Sequence, residues 1–158
     1  MKLIKWKPYA LWIGLVEAVG ALAALLTRKG TKWFNEYAAQ PPLSPPKVVF
    51  PVVWGILYAL MGISAARIWM AEESRDRKWG LNLFVGQLVL NFFWSLIFFN
   101  AQAYGIASVW IVVLWAVVLA MILKFRKVDN LATWLQVPYL LWLTFAAYLT
   151  FGVWLLNG

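Results

Sequence analysis

Five long apolar runs, separated by short polar or charged segments, dominate the sequence. Each run has about the 20 residues that a helix needs to cross a bilayer core of about 30 Å. Because lipid offers the backbone no hydrogen-bond partners, such runs must form helices, and they are too uniformly apolar for barrel strands. The pattern predicts an all-α integral membrane bundle of five transmembrane helices. We place them at Pro8–Thr27, Val48–Met70, Trp79–Phe99, Tyr104–Leu123 and Leu131–Leu156.

The connections between the runs are short, with one exception. The polar segment Asn100–Gly105 contains glycine and is typical of a turn, and such short links make successive helices antiparallel. The segment at about 28–47 is longer and ends in a proline-rich stretch. Because proline fixes φ and lowers the entropy of the chain, we expect this segment to act as a lid without regular structure. Residues 1–158 would then form one domain.

Composition and charge agree with a membrane protein. Of the 158 residues, 64% are hydrophobic and only 13% are charged, whereas soluble domains carry about 25% charged residues. The net charge of +8 comes from basic residues that flank the runs, so we expect no nucleic-acid partner. Nine basic residues lie on one side of the bundle and four on the other. This predicts an N-terminus inside and a C-terminus outside, in what we expect to be a bacterial cytoplasmic membrane.

The sequence excludes several kinds of chemistry. It contains no His and no Cys, and therefore lacks thiolates, the commonest metal ligand and the commonest general base. We predict no metal site and no required cofactor. Glu17 is the only acid within a run. An intramembrane carboxyl group is a functional candidate, but a protonated, hydrogen-bonded structural role is an equally good interpretation.

Polar residues recur at regular spacing in the third run. Gln87, Asn91 and Ser95 are each four residues apart, so they share one face of a helix. In a membrane such a stripe faces protein or a cavity. Two interpretations stand equally: a ligand site, or hydrogen bonding between helices without further function.

Tryptophan is unusually frequent, with 12 residues. A first group lies near the ends of the predicted spans or in the lid, where indoles anchor a protein at the membrane surface: Trp6, Trp33, Trp69, Trp79, Trp134 and Trp154. A second group lies deeper: Trp54, Trp94, Trp115 and Trp142. A deep indole either packs against helices or lipid, or stacks on a flat ligand and donates its N–H.

Three motifs carry a resemblance to a known family. They are Pro45–Gly62, which contains Pro51 and Trp54, Gln87–Phe99, and Pro138–Trp142. In this order, they resemble the TspO/translocator protein family (TspO/MBR), once called the peripheral benzodiazepine receptor. The resemblance implies a five-helix bundle, often a homodimer. It also implies binding of protoporphyrin IX and related tetrapyrroles, of isoquinoline carboxamide or benzodiazepine drugs and, in some members, of sterols.

The resemblance also implies a pocket among the helices beneath the lid. Phe50 and Tyr58 share a helix face with Trp54 by their spacing, and Trp94 is a deep indole. The predicted ligand-binding residues are Phe34, Phe50, Trp54, Tyr58, Asn91, Trp94, Ser95, Trp142 and Ala146. Some relatives degrade protoporphyrin in light, and there the tryptophans matching Trp54 and Trp142 would be catalytic.

The chain departs from the family pattern at several positions. Leu43 and Val48 stand where the lid usually carries tryptophans, and no basic residue follows Tyr148, which argues against sterol binding. Without His or Cys, haem iron lacks an axial ligand, so a metal-free porphyrin fits better. We therefore expect a tetrapyrrole receptor or carrier. A light-dependent porphyrin-degrading enzyme and a structural or regulatory bundle without a small ligand are the alternatives.

Overall fold

The computed structural model describes residues 6–158, and this part of the chain forms helices and short connections but no strand. It contains six α-helices and one π-helical turn that continues the fourth helix. The elements are α1 (Trp6–Leu26), α2 (Arg28–Tyr37), α3 (Val49–Met70), α4 (Arg75–Ser95), the π turn (Leu96–Asn100), α5 (Tyr104–Phe125) and α6 (Asn130–Asn157).

Five of these helices are long and apolar enough to cross a membrane: α1, α3, α4 with its π turn, α5 and α6. The protein is therefore a multi-pass integral membrane protein, and the predicted all-α bundle of five spans is confirmed. The third span starts at Arg75, four residues before the predicted start at Trp79. The Ser74 side chain accepts a hydrogen bond from the backbone N–H of Arg77 at 3.1 Å, and this cap moves the charged residues into the first helical turn.

The lid differs from the prediction, because its first half is helical. Only Thr27 separates α1 from α2, and α2 presents polar residues to the outside while burying Phe34. Amphipathic spacing of this kind stabilises a helix on an apolar surface. The proline-rich second half is irregular. Leu43, at φ 70°, is 81% exposed, so the position at which the family usually has tryptophan points away from the core.

Neighbouring helices pack closely around a common core. α1 packs on α3, α3 on α6, and α5 between α4 and α6. Gly62 allows the first of these contacts, since a Cβ atom there would lie 2.5 Å from the Cα of Ile13. We call the end of the bundle that carries residues 27–48 the lid end. The opposite end, with the connections 71–74 and 126–129, is the basic end.

An ion pair joins three helices at the basic end. The Arg67 side chain donates from Nε to Asp129 Oδ2 at 2.7 Å and from its second terminal nitrogen to Asp129 Oδ1 at 3.2 Å. Arg67 also reaches the Tyr9 hydroxyl at 3.4 Å. Asp129 in turn caps α6 by accepting from the backbone N–H of Ala132 at 2.9 Å. The pair therefore holds the ends of α1, α3 and α6 together.

Candidate functional site

Aromatic side chains from α3 and α6 meet toward the lid end of the bundle. The ring of Trp54 lies 5.4 Å from that of Tyr58 and 6.2 Å from those of both Tyr139 and Trp142, measured between centroids. Phe50 lies 5.9 Å from Trp142. We call these five residues the central aromatic cluster. The i, i+4 spacing of Phe50, Trp54 and Tyr58 places all three on the face of α3 that meets α6.

A chain of hydrogen bonds lies beside these rings. The Tyr58 hydroxyl donates to Asn91 Oδ1 at 3.1 Å, and Asn91 Nδ2 donates to the Tyr139 hydroxyl at 2.8 Å. Tyr139 then donates to Gln87 Oε1 at 2.7 Å. We call these four residues the polar chain. It joins α3, α4 and α6, and it shows that Gln87 and Asn91 of the predicted stripe face protein. Ser95, half-buried at the last position of α4, is not part of it.

Phe34 and Trp94 lie in a second aromatic group, which is packed on the π turn. Phe34 lies 5.1 Å from Phe98 and 5.5 Å from Phe99 between ring centroids. Trp94 stacks on Phe98 at 4.9 Å, with 18° between the planes. Trp94 also packs against the main hydrophobic core of the bundle, whereas Phe34 belongs only to the second aromatic group. The structure therefore places Phe34 on the inner face of the lid, packed on the π turn and not on Trp54.

The lid is fastened to α6 at several points. Asn157 Oδ1 accepts from the Ala39 N–H at 3.0 Å, and Asn157 Nδ2 donates to the Ala39 carbonyl at 2.8 Å. The Tyr148 hydroxyl donates to the Pro42 carbonyl at 2.6 Å. Next to this contact, a Cβ atom on Gly152 would lie 2.6 Å from the Pro41 ring. On the same helix, Ala146 is buried in the hydrophobic core against which Trp54 and Trp142 pack.

Four indole N–H groups within the spans differ in whether they have an acceptor. Trp110 Nε1 donates to the Leu90 carbonyl at 2.8 Å, and Trp115 Nε1 donates to Thr144 Oγ1 at 2.9 Å. The Nε1 atoms of Trp94 and Trp142 are buried without an acceptor anywhere in residues 6–158. A buried donor left unpaired costs about 1–3 kcal/mol. These two indoles therefore offer donors to a bound molecule with an accepting oxygen.

The rings of the central aromatic cluster touch one another, and two open grooves lie elsewhere on the bundle. One groove of about 490 Å³ is at the basic end, next to Lys78 and Trp79. Another, of about 650 Å³, runs along α5 between Trp110 and Trp154. Neither groove is lined by a predicted site residue. A flat ligand at Trp54 and Trp142 would therefore have to separate the rings.

Sequence reasoning missed the role of Tyr139 and left Glu17 without a neighbour. Tyr139, which is fully buried, was noted only as part of a motif, although it lies one turn before Trp142 on the same face of α6. Glu17 is half-buried and lies three residues before Gly20. A Cβ atom on Gly20 would overlap the ring of Tyr58, so the face of α1 that carries Glu17 and Gly20 packs on α3 near the polar chain.

Comparison with known proteins agrees with the motifs. The model of the TspO/MBR family matches residues 12–155. "Tryptophan-rich protein TspO" from Chlorobaculum tepidum is 39% identical over 152 residues, covering 94% of either chain. "Tryptophan-rich sensory protein" from Cereibacter sphaeroides is 35% identical and "Translocator protein" from Ovis aries 33% identical, and each match covers 94% of this chain and 92% or 89% of the relative. The chain therefore belongs to the TspO/MBR family.

Proposed function

We propose that this protein is a membrane receptor or carrier that binds metal-free porphyrins of the protoporphyrin IX type. The same site would accept similar flat hydrophobic molecules such as isoquinoline carboxamides. One observation supports the proposal: the rings of Trp54 and Trp142, from two helices, are in contact, and Asn91 of a third helix bonds the neighbouring Tyr58 and Tyr139. The indole N–H of Trp142 there has no acceptor in residues 6–158.

The chemistry of this region matches such a ligand. The aromatic walls stack on a flat apolar molecule, and a few polar groups fix its orientation. The indole N–H groups of Trp94 and Trp142 would donate to a carbonyl or carboxyl oxygen. Asn91 uses its amide to hold Tyr58 and Tyr139, so it orients the rings against which the ligand would rest.

Ligand entry would require the rings of the central aromatic cluster to move apart and the lid to loosen. The lid is held by hydrogen bonds at Ala39 and Pro42, each worth about 1 kcal/mol. Breaking these hydrogen bonds costs less than the free energy that a ligand of micromolar affinity releases on binding, about 8 kcal/mol. The names of two relatives, a sensory protein and a translocator protein, support a receptor or carrier role in this chain.

The proposal is tested by fluorescence titration of the full chain in lipid nanodiscs. Protoporphyrin IX should quench tryptophan emission in a saturable manner, and Trp142→Ala should weaken its binding about tenfold or more. Trp134→Ala is the control, because Trp134 is 67% exposed near the basic end. Equal affinity of wild type and Trp142→Ala would instead support a structural bundle without a small ligand.

A second candidate function, light-dependent degradation of the porphyrin, is favoured by the contact of Trp54 with Trp142, whose rings lie 6.2 Å apart. Excited porphyrin beside oxidisable indoles, with dioxygen as the oxidant, could be consumed rather than released. Illuminating the complex separates the two functions. A loss of the Soret band that requires both tryptophans supports an enzyme, and an unchanged band supports a receptor or carrier.

A further inference from the structure

Two glutamines in the core have amide atoms without a protein partner. Gln87 and Gln136 are both 0% exposed. Within residues 6–158, neither the Nε2 nor the Oε1 of Gln136 has a hydrogen-bond partner, and the same is true of Gln87 Nε2. Buried amide groups are almost always hydrogen-bonded, because leaving them unpaired in an apolar core is costly. These three atoms are therefore candidates for hydrogen bonds to a bound group.

Helix register places the two glutamines at a similar depth in the bundle. On α6, Gln136 lies three residues before Tyr139, which is about 4.5 Å toward the basic end. On α4, Gln87 lies four residues before Asn91, which is about 6 Å in the same direction. Both helices run from the basic end to the lid end, and Tyr139 bonds both Gln87 and Asn91. The backbones of the two glutamines therefore lie about one helical turn below those of Asn91 and Tyr139. The Gln87 side chain reaches up to the Tyr139 hydroxyl.

The hydrogen-bond pattern defines what this site would accept. In the polar chain each group donates to the next, from Tyr58 through Asn91 and Tyr139 to Gln87 Oε1. The chain ends in a free donor, Gln87 Nε2, and Gln136 adds one donor and one acceptor. A group that satisfies them must both accept and donate hydrogen bonds. A hydroxyl does so, whereas a carboxylate cannot donate and an ammonium cannot accept.

The occupant is also expected to be neutral. The buried polar residues of the described chain are uncharged: Thr27, Ser64, Gln87, Asn91, Ser108, Thr133, Gln136 and Thr150. A charged group at this depth would have no buried counter-charge, and burying it would be expensive.

We propose that Gln87 and Gln136 form a polar subsite on the basic-end side of the Tyr139 hydroxyl, and that it binds a neutral hydroxyl group. The group is either a water molecule or the protonated carboxyl or hydroxyl of a ligand seated in the cluster. The second source rests on the proposed function, and the first does not. In either case the group extends the polar chain from α4 to Gln136 of α6.

The first test is a structure of the ligand-free full chain in a lipid mesophase at about 2 Å. Density within about 3.2 Å of the Gln136 amide is expected in the wild type and should be absent in Gln136→Leu. Nuclear magnetic resonance of the wild type offers a second readout, in which the Nε2 protons of both glutamines should receive magnetisation from bound water. If neither density beside Gln136 nor magnetisation transfer from water is observed, and both amides bond to protein atoms instead, water does not occupy the subsite.

The second test compares binding of protoporphyrin IX with binding of its dimethyl ester, which lacks the carboxyl donor. If the ligand fills the subsite, the wild type prefers the acid about tenfold, and Gln136→Leu abolishes this preference. If water fills it, acid and ester bind equally and the density persists in the complex. If acid and ester bind equally and no density is seen beside Gln136 with or without ligand, the proposal is wrong.

A matched control separates the subsite from a general effect of removing a buried polar group. Ser108 is 0% exposed and its hydroxyl already donates to the Tyr104 carbonyl at 2.8 Å, so Ser108→Ala should leave the ratio of acid to ester affinity unchanged. The two proposals also fail differently. If the wild type shows no saturable porphyrin binding while density beside Gln136 is present, the proposed function fails and the subsite stands.

Discussion

Asn157 binds both backbone groups of Ala39, 118 positions earlier in the chain, with hydrogen bonds of 3.0 and 2.8 Å. Its amide also donates to the Val153 carbonyl at 2.8 Å. The side chain at the end of α6 therefore holds the start of the proline-rich half of the lid against the bundle. Because the paired atoms are exposed, these hydrogen bonds can break without unfolding the bundle.

Asn157→Ala should loosen the lid. The loss of these bonds, worth about 1 kcal/mol each at most, is expected to speed hydrogen exchange in residues 38–48 and to raise both the association and the dissociation rate of protoporphyrin IX. Hydrogen-exchange mass spectrometry and stopped-flow fluorescence measure these effects. Leu155→Ala, at a position that is 83% exposed, is the control and should change neither. Unaltered exchange in the lid would show that Asn157 does not hold it.

Gly20→Ala should disturb the polar chain. A methyl group at Gly20 would overlap the Tyr58 ring, so Tyr58 must move and weaken its bond to Asn91. We expect a loss of about 1–3 kcal/mol in stability and weaker porphyrin binding. Gly14→Ala on the same helix is the matched control, since a Cβ atom there meets nothing within 4 Å. Thermal unfolding in nanodiscs compares the two, and equal melting temperatures would refute this expectation.

Trp142→Phe isolates the indole N–H from the aromatic ring. Since that N–H has no acceptor in residues 6–158, we expect little loss of stability without ligand but about tenfold weaker porphyrin binding. Trp115→Phe should behave in the opposite way, because it removes the 2.9 Å bond to Thr144. It should cost about 1 kcal/mol in stability and leave affinity unchanged. Affinity that falls equally in both variants would exclude a specific role for the Trp142 N–H.

The ion pair at the basic end should make stability depend on pH. The hydrogen bonds from Arg67 hold the pKa of the Asp129 carboxyl below its ordinary value of 3.8, although partial burial opposes this shift. Its stabilising contribution is therefore fully present above about pH 4 and is lost as the pH falls through the lowered pKa of the folded state.

Asp129→Asn keeps an acceptor for the α6 cap but removes the charge. We expect a lower melting temperature at pH 7 and a difference from wild type that shrinks as the pH drops below about 4. Asp76→Asn is the comparison, since Asp76 makes a single contact with Lys124 at 3.4 Å. Asp129 holds Arg67 by two hydrogen bonds, so the Asp76 pair should contribute less. If the melting temperatures of Asp129→Asn and wild type differ by the same amount from pH 7 to pH 3, the ion pair with Arg67 is not the source of the pH dependence.

The predicted orientation can be measured directly because the sequence contains no cysteine. Gln40→Cys places a thiol in the lid, and Glu73→Cys places one in the connection between α3 and α4, both at exposed positions. With the N-terminus inside, a membrane-impermeant maleimide added to intact spheroplasts should label position 40 at once and position 73 only after permeabilisation. Labelling of position 73 first would show that the N-terminus lies outside and that the predicted orientation is wrong.

Much of the fold could be read from the order of apolar runs. The predicted fourth span began at Tyr104, as the structure has it, and the second began within one residue of Val49. The helix in the lid was harder to predict, because a short amphipathic helix such as Arg28–Tyr37 is stabilised mainly by the surface on which it packs. Here that surface is the π turn, whose Phe98 and Phe99 receive Phe34.

The site was predictable in part. Spacing placed Phe50, Trp54 and Tyr58 on one face, and the structure brings that face to Trp142. The partners of the polar residues were not predictable, because a stripe along one helix does not reveal which neighbour it meets. Gln136 is an example: nothing in the sequence of α6 indicates that its amide would be buried without a protein partner.

The sequence by itself determined the number of membrane-spanning helices and the class of the fold. Bilayer thickness and the need of every backbone group for an internal hydrogen bond act on each segment locally. Only the tertiary structure decided that Asn91 bridges Tyr58 and Tyr139, and that Phe34 packs against Phe98 rather than Trp54. These pairings depend on the rotation and register of whole helices against one another, and those are set by side-chain packing between segments distant in sequence.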